Sequence, residues 1–259
     1  MNSLEELLKS FDLLLLIAAR MSGLFAFAPF WNSKNFPART KIVLAFFLAV
    51  ALMPVMLQRN IAVPEQFLEY GLLLLSEFMF GVIIGYIASI ILTAVQFAGH
   101  MIDMQMGLSM MTVLDPASNV STPLVGQIKN FIAIMVILLT DAHHQFLIAI
   151  FRSYDAVPLG KMQIQGDFIS YILNLIQETF VLAFCISAPV VGTLFIIDVV
   201  LAIITRTIPQ LNIFVIGFPI KIMVGFIFLI LSVAFYVNML DGIIPRMLEA
   251  VYTSLSYLR

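Results

Sequence analysis

A chain of 259 residues with 62% hydrophobic and 11% charged side chains and a mean hydropathy of +1.07 is far more apolar than a soluble domain. Roughly half apolar and a quarter charged is usual there, so this chain belongs in or against a membrane. A net charge of −2 excludes the basic footprint of a nucleic-acid binder, and one cysteine, Cys185, excludes an intrachain disulfide and a thiolate metal cluster. That thiol reads as an inert apolar filler, and with no Ser-, Pro- or charge-rich linker the chain reads as one large helical unit.

Apolar runs cover residues 11–30, 42–57, 67–98, 128–151, 168–205 and 218–240. Because a helix needs about 20 residues to cross a bilayer, they predict an all-α membrane protein of about six long, kinked or broken helices. The N-terminus, with Glu5, Glu6 and Lys9, lacks the basic start of a cleaved signal peptide and a small-residue cleavage site, so the first helix is expected to stay as an anchor. The second run is short for a span and is expected to end at Pro54. The fifth would reach nearly twice the hydrocarbon thickness if straight, and Pro189 is expected to kink it, with Ser187, Gly192 and Thr193 nearby to soften the break. Lys34, Arg39 and Lys41 follow the first run, but later loops mix both signs and set no orientation.

Arg20, Glu77, Asp103, Glu178, Asp198, Arg206, Lys221 and Asp241 lie inside or at the ends of these runs. An ionised group facing hydrocarbon costs several kcal/mol, so all are expected to face protein or water. Glu77, Gly81, Gly85, Ser89 and Thr93 recur every four residues, and Gly81-x-x-x-Gly85 predicts a packing seam, either within the chain or against another subunit. Gln96, Gly99, Asp103 and Gly107 share one helical face; Phe97, Met101, Met104, Leu108 and Met111 share another. Met101, Met104, Met106, Met110 and Met111 together suit a deformable seal, since unbranched thioethers repack around changing neighbours; ordinary core filling is the plainer alternative. Beyond Met111, Asp115-Pro116, Ser118, Asn119 and Pro123 favour a loop.

Between residues 206 and 221 the breakers Pro209, Gly217 and Pro219 and the amides Gln210 and Asn212 predict a turn covered by protein. Pro209-Gln210-Leu211-Asn212-x-Phe214-x-x-Gly217-Phe218-Pro219-x-Lys221 resembles the signature segment of the FliR family of flagellar export proteins and its virulence type III relatives. The resemblance extends to Gln96-x-x-Gly99-x-x-x-Asp103-x-Gln105-x-Gly107, Asp115-Pro116, Arg20-x-x-Gly23, Pro29, Pro37 and Lys41, and so covers nearly the whole chain.

It implies a FliP-like part over residues 1–165, a FliQ-like helical hairpin over 166–259, and a plug over 107–120 that projects into the lumen of an export gate, with Met104, Met106, Gly107, Met110, Met111, Asp115 and Pro116 as plug and gate residues. It further implies assembly with FliP and FliQ, contact with FlhB and FlhA, passage of unfolded substrates, and residence in the bacterial inner membrane at the flagellar basal body. Arg20, Glu77, Gly81, Gly85, Gln96, Gly99, Asp103, Glu178, Asp198, Arg206, Pro209, Gln210, Asn212, Gly217, Pro219 and Lys221 are the expected subunit-packing and buried polar positions.

Catalysis has no visible motif. No G-x-S-x-G elbow, Walker loop or Rossmann glycine string occurs, so neither an enzyme nor a cofactor is expected, and His143 and His144 are adjacent residues expected to diverge rather than form a metal pair. A proton-coupled secondary transporter could use Asp103, Glu178 and Asp198, but such proteins tend to show two matching halves with interrupted helices, a pattern this chain lacks. An intramembrane hydrolase would need a convergent nucleophile and base that nothing here supplies.

Overall fold

A computed structural model describes residues 2–28, 31, 37–59, 64, 66–109, 123–208 and 213–259. The described elements are all helices: α1 (Asn2–Phe27), α2 (Ala38–Leu57), α3 (Phe67–Met106), α4 (Leu124–Leu139), α5 (Ala142–Ala156), α6 (Phe168–Thr207) and α7 (Ile213–Tyr257). Five are long and apolar enough to cross a membrane, and α4 with α5 makes a sixth if the pair counts as one broken span. This matches the all-helical membrane class. The fourth apolar run is split, because Thr140 and Asp141 leave the helix and Asp141 takes a positive φ of 53°.

Two prolines behave otherwise than expected. Pro54 does not end α2, which continues to Leu57, and Pro219 does not terminate the turn but lies inside α7 along with Gly217 and Lys221. Each proline forfeits one backbone hydrogen bond, which a helix of 20 or 45 residues absorbs through its remaining ladder. Pro189 lies inside α6, the long helix it was expected to interrupt without ending, and Thr193 Oγ1 donates to the Pro189 carbonyl at 2.9 Å.

The chain divides into two compact units, each discontinuous in sequence. The first comprises residues 1–90, 143–173 and 246–259. Its core is α1 against α3, where the glycines remove every obstacle to backbone contact. A Cβ on Gly81 would stand 2.0 Å from the Arg20 carbonyl oxygen, one on Gly23 would stand 2.1 Å from that of Phe78, and one on Gly85 would stand 2.7 Å from that of Leu24. The small-residue seam is therefore an internal one. Trp31 closes one end, edge-on to Phe25 at 4.9 Å and stacked on Phe146 at 6.0 Å. The end of α7 is held by Gln163 and Gln165 N–H groups donating to Leu258 and Tyr257 carbonyls, and by Tyr171 stacked on Tyr257. Helix α2 buries only a narrow strip, Ala45, Ala49, Leu52 and Met56, and turns Ile42, Val43, Phe46 and Phe47 outward.

The second unit comprises residues 91–142 and 174–245. Ile102, Met106, Val125, Val190 and Leu194 form its fully buried centre, with Ile222, Phe228 and Leu229 packed around them. Gly99 lets α3 meet α4, since a Cβ there would lie 2.2 Å from Gly126 Cα. Helix α4 starts at Pro123, which brings no side-chain cap of its own. Asp103 supplies one from α3: Val125 N–H donates to its Oδ2 at 3.0 Å and its Oδ1 at 3.2 Å. A carboxylate at a helix N-terminus satisfies a free donor and opposes the positive end of the dipole.

Candidate functional site

The last two turns of α3 enter the methionine-rich stretch, and four contacts of different kinds fasten them. Asp103 caps α4. Two residues on, Gln105 Nε2 donates to Asp198 Oδ2 of α6 at 2.7 Å, and Lys221 Nζ of α7 pairs with Asp198 Oδ1 at 2.8 Å. Met106 is fully buried beside Gly225, where a Cβ would come within 2.7 Å of the Met106 methyl. Gly107 then leaves the helix at φ +82° with the Phe218 ring 2.5 Å from where its Cβ would be. Polar, thioether and aromatic contacts thus converge on four of the five positions from 103 to 107.

The described methionines of this stretch differ in their surroundings. Met106 is sealed inside, Met101 is half-buried with Ser187 Oγ at 3.7 Å from its sulfur, and Met104 is exposed. The polar face is internal: Gly99 and Asp103 meet α4, Gly107 meets Phe218, and the Gln96 carbonyl lies against Gly126 while its side chain is exposed. Met110, Met111, Asp115, Pro116, Pro209, Gln210 and Asn212 lie outside the described residues. The plug span is thus described only at its start, Gly107 to Ser109.

In the first unit, Arg20 and Glu77 form a buried ion pair at 2.6 Å, each side chain 1% exposed. Glu77 also accepts the Gly160 N–H at 2.7 Å, and Arg20 Nη1 donates to the Val157 carbonyl at 3.1 Å. The guanidinium plane lies between the rings of Phe80 and Tyr154, at 4.2 and 4.3 Å from their centroids. One node so ties α1, α3, α5 and the turn that follows α5.

Of the other charges expected to be covered, Glu178, Arg206 and Asp241 are exposed on this chain. Cys185 is exposed as well, so it is not an interior filler. The rings of His143 and His144 do not diverge but lie with centroids 4.1 Å apart. Sequence reading passed over Lys129, a buried lysine whose Nζ lies 4.2 Å over the ring of Tyr236 while the Tyr236 hydroxyl donates to the Lys129 carbonyl. A lone lysine at the head of an apolar run was its only signal. Gly126 and Gly225 gave still less, being unremarkable residues in apolar helices, and Phe218 stood in the 209–221 segment without a packing role assigned to it.

The sequence model of the family described as "Bacterial export proteins, family 1" matches residues 11–247. The chain is 39% identical over 243 residues to a flagellar biosynthetic protein FliR of Bacillus subtilis (strain 168), covering 92% of both chains. It is 28% identical over 212 residues to a protein of the same name from Aquifex aeolicus (strain VF5), covering 82% of this chain and 81% of that one. With that of Escherichia coli (strain K12) it shares 27% over 206 residues, 80% of this chain and 78% of the other. A match across nine-tenths of the length joins the apolar helices and the anchored end of α3 to one conclusion: the chain belongs to bacterial export protein family 1, the family of the FliR flagellar biosynthetic proteins.

Proposed function

We propose that this membrane component of the flagellar export apparatus builds, with FliP and FliQ, the gated channel through which unfolded flagellar substrates cross the bacterial inner membrane at the basal body, in contact with FlhB and FlhA. Its part is structural and conformational rather than catalytic. The observation that carries the reading is the fastening of α3 at Asp103, Gln105, Met106 and Gly107, immediately before the methionine-rich stretch. A segment that must close a lumen and then yield needs a rigid base and a soft body. The four contacts supply the base, and the flexible thioethers of Met110 and Met111 suit the body. Arriving substrate would shift the closed population toward an open one by binding the open state better.

Deleting residues within 107–120 in the assembled apparatus tests this directly. Ion conductance across the membrane should rise while the complex with FliP and FliQ is still recovered. Unchanged conductance removes the plug from the account; failure of the chain to co-purify with FliP and FliQ at fixed stoichiometry removes the gate. A solute that stabilises the isolated chain as a monodisperse species would favour the transporter instead.

A further inference from the structure

We propose that Asp141, His143 and His144, where the fourth apolar run breaks, form a binding site for one divalent transition-metal ion of the zinc(II) class.

The three residues fall within four consecutive positions, so the local backbone sets their geometry. Helix α4 closes at Thr140, whose N–H and hydroxyl both donate to the Val136 carbonyl, at 2.9 and 2.8 Å. Asp141 follows in the left-handed region at φ 53°, which aspartate tolerates better than most side chains, and the buried Ala142 begins α5. The carboxylate of Asp141 thereby stays beside the first turn of α5: one of its oxygens and one ring nitrogen from each histidine all lie within 4.8 Å of one another. Neighbouring side chains on a helix point about 100° apart, yet these two rings stand 4.1 Å apart between centroids, tilted by 40°. A plain carboxylate–imidazole contact needs only one histidine; the second ring brought to the same point is what calls for an ion. Asp141 and His144 are exposed and His143 is half-buried, so an ion can reach the cluster.

The donor set selects the ion. Two imidazoles and one carboxylate suit zinc(II), with nickel(II) and copper(II) next, whereas magnesium and calcium prefer a shell of oxygens. Around a tetrahedral zinc with bonds of about 2.0–2.2 Å, ligand atoms stand about 3.3 Å from one another. Closing 4.8 Å to that spacing asks for a shift of about 1.5 Å, within the reach of the exposed, rotatable Asp141 and His144 side chains. Three protein ligands leave a fourth position to water, the arrangement of an exchangeable ion rather than of a closed structural site. The positive end of the α5 dipole opposes a cation there, and the Asp141 carboxylate offsets it. Once bound, the ion ties the Asp141 turn to the first turn of α5 and so stabilises the folded chain.

The test uses the full chain in detergent, free of any histidine tag and stripped with EDTA, titrated with zinc chloride by calorimetry and followed by thermal unfolding. One ion per chain should bind and raise the melting temperature, and magnesium at the same concentration should do neither. Asp141→Asn, which keeps the left-handed turn, and His144→Asn should each weaken zinc binding about tenfold or more, since even a partner outside the ligand shell costs about 10–100-fold when lost. Both positions are exposed, so the metal-free variants should melt with the metal-free wild type. Cobalt(II) should give the visible absorption of a low-coordinate centre in the wild type and lose it in His144→Asn. His100→Asn and Cys185→Ser, which remove the chain's remaining histidine and its cysteine, should leave zinc binding unchanged. No uptake, uptake of magnesium in place of zinc, or uptake abolished by His100→Asn or Cys185→Ser would overturn the site. Equal affinity in the wild type and both ligand variants would overturn it too, as an adventitious ion only. Metal binding rather than secretion is read out, so neither result bears on the gate reading.

Discussion

Arg20 and Lys129 are both buried cations on apolar helices, yet their surroundings give opposite expectations. Arg20 has a carboxylate at 2.6 Å, a carbonyl at 3.1 Å and two ring faces, so removing it strands Glu77. Arg20→Met and Glu77→Leu should each destabilise the protein by about 3–5 kcal/mol, and the double substitution by clearly less than either. Thermal unfolding of the three variants in one detergent measures the difference; equal losses in all three would show that the pair acts through packing alone. Among the described residues Lys129 has no carboxylate, only the Tyr236 ring, which recovers part of the desolvation cost of an ammonium. Lys129→Met, which keeps the length and removes the charge, should leave the melting temperature unchanged or raise it. Sequence alone exposed Arg20, Glu77 and Asp103 as residues that could not face lipid, since a charge in an apolar run is conspicuous. Their partners were hidden because Glu77 is 57 residues from Arg20 and Val125 is 22 from Asp103, distances that no local periodicity encodes.

At the scale of the element, glycines carried more structural information than prolines. The four-residue spacing of Gly81 and Gly85 announced a close approach, and the contact with α1 realises it within the chain; the choice between an internal and an external seam needed the opposing helix, with Gly23 as the reciprocal gap. Pro54 and Pro219 promised helix ends that the fold does not make, because long membrane helices tolerate one lost hydrogen bond when the remaining ladder continues. Gly107 is the position where two constraints coincide. Its φ of +82° disfavours any side chain, and the Phe218 ring fills the space a methyl would need. Gly107→Ala should therefore loosen the end of α3 and increase ion conductance through the assembled apparatus, and adding Phe218→Ala should relieve the clash but not the backbone strain, restoring closure only in part. Conductance of the two variants against wild type decides this. Full rescue by Phe218→Ala would assign the whole effect to the ring, and no leak in Gly107→Ala would separate this turn from gating.

For the whole molecule, helix length and exposed chemistry set the governing constraint. Helices α3, α6 and α7 run for 40, 40 and 45 residues, about 60 to 67 Å each at 1.5 Å per residue, and the most apolar stretches of α6 and α7 bury only a small share of their residues within the chain. The all-helical membrane class was legible in the composition because 62% apolar residues leave few other solutions. What composition could not convey is that folding alone leaves so much of that surface uncovered. Side chains such as Phe184, Ile203, Ile230 and Leu231 remain mostly exposed, open to lipid or to another subunit. About 30 Å of bilayer covers only part of each helix. The isolated chain in lipid nanodiscs should therefore self-associate in a concentration-dependent manner, and co-production with FliP and FliQ should replace that association by a single species of fixed mass. Light scattering across a dilution series tests it. A chain that stays monomeric in a bilayer without partners would mean that tilt and lipid suffice to cover these helices, and the proposed assembly would lose this physical reason.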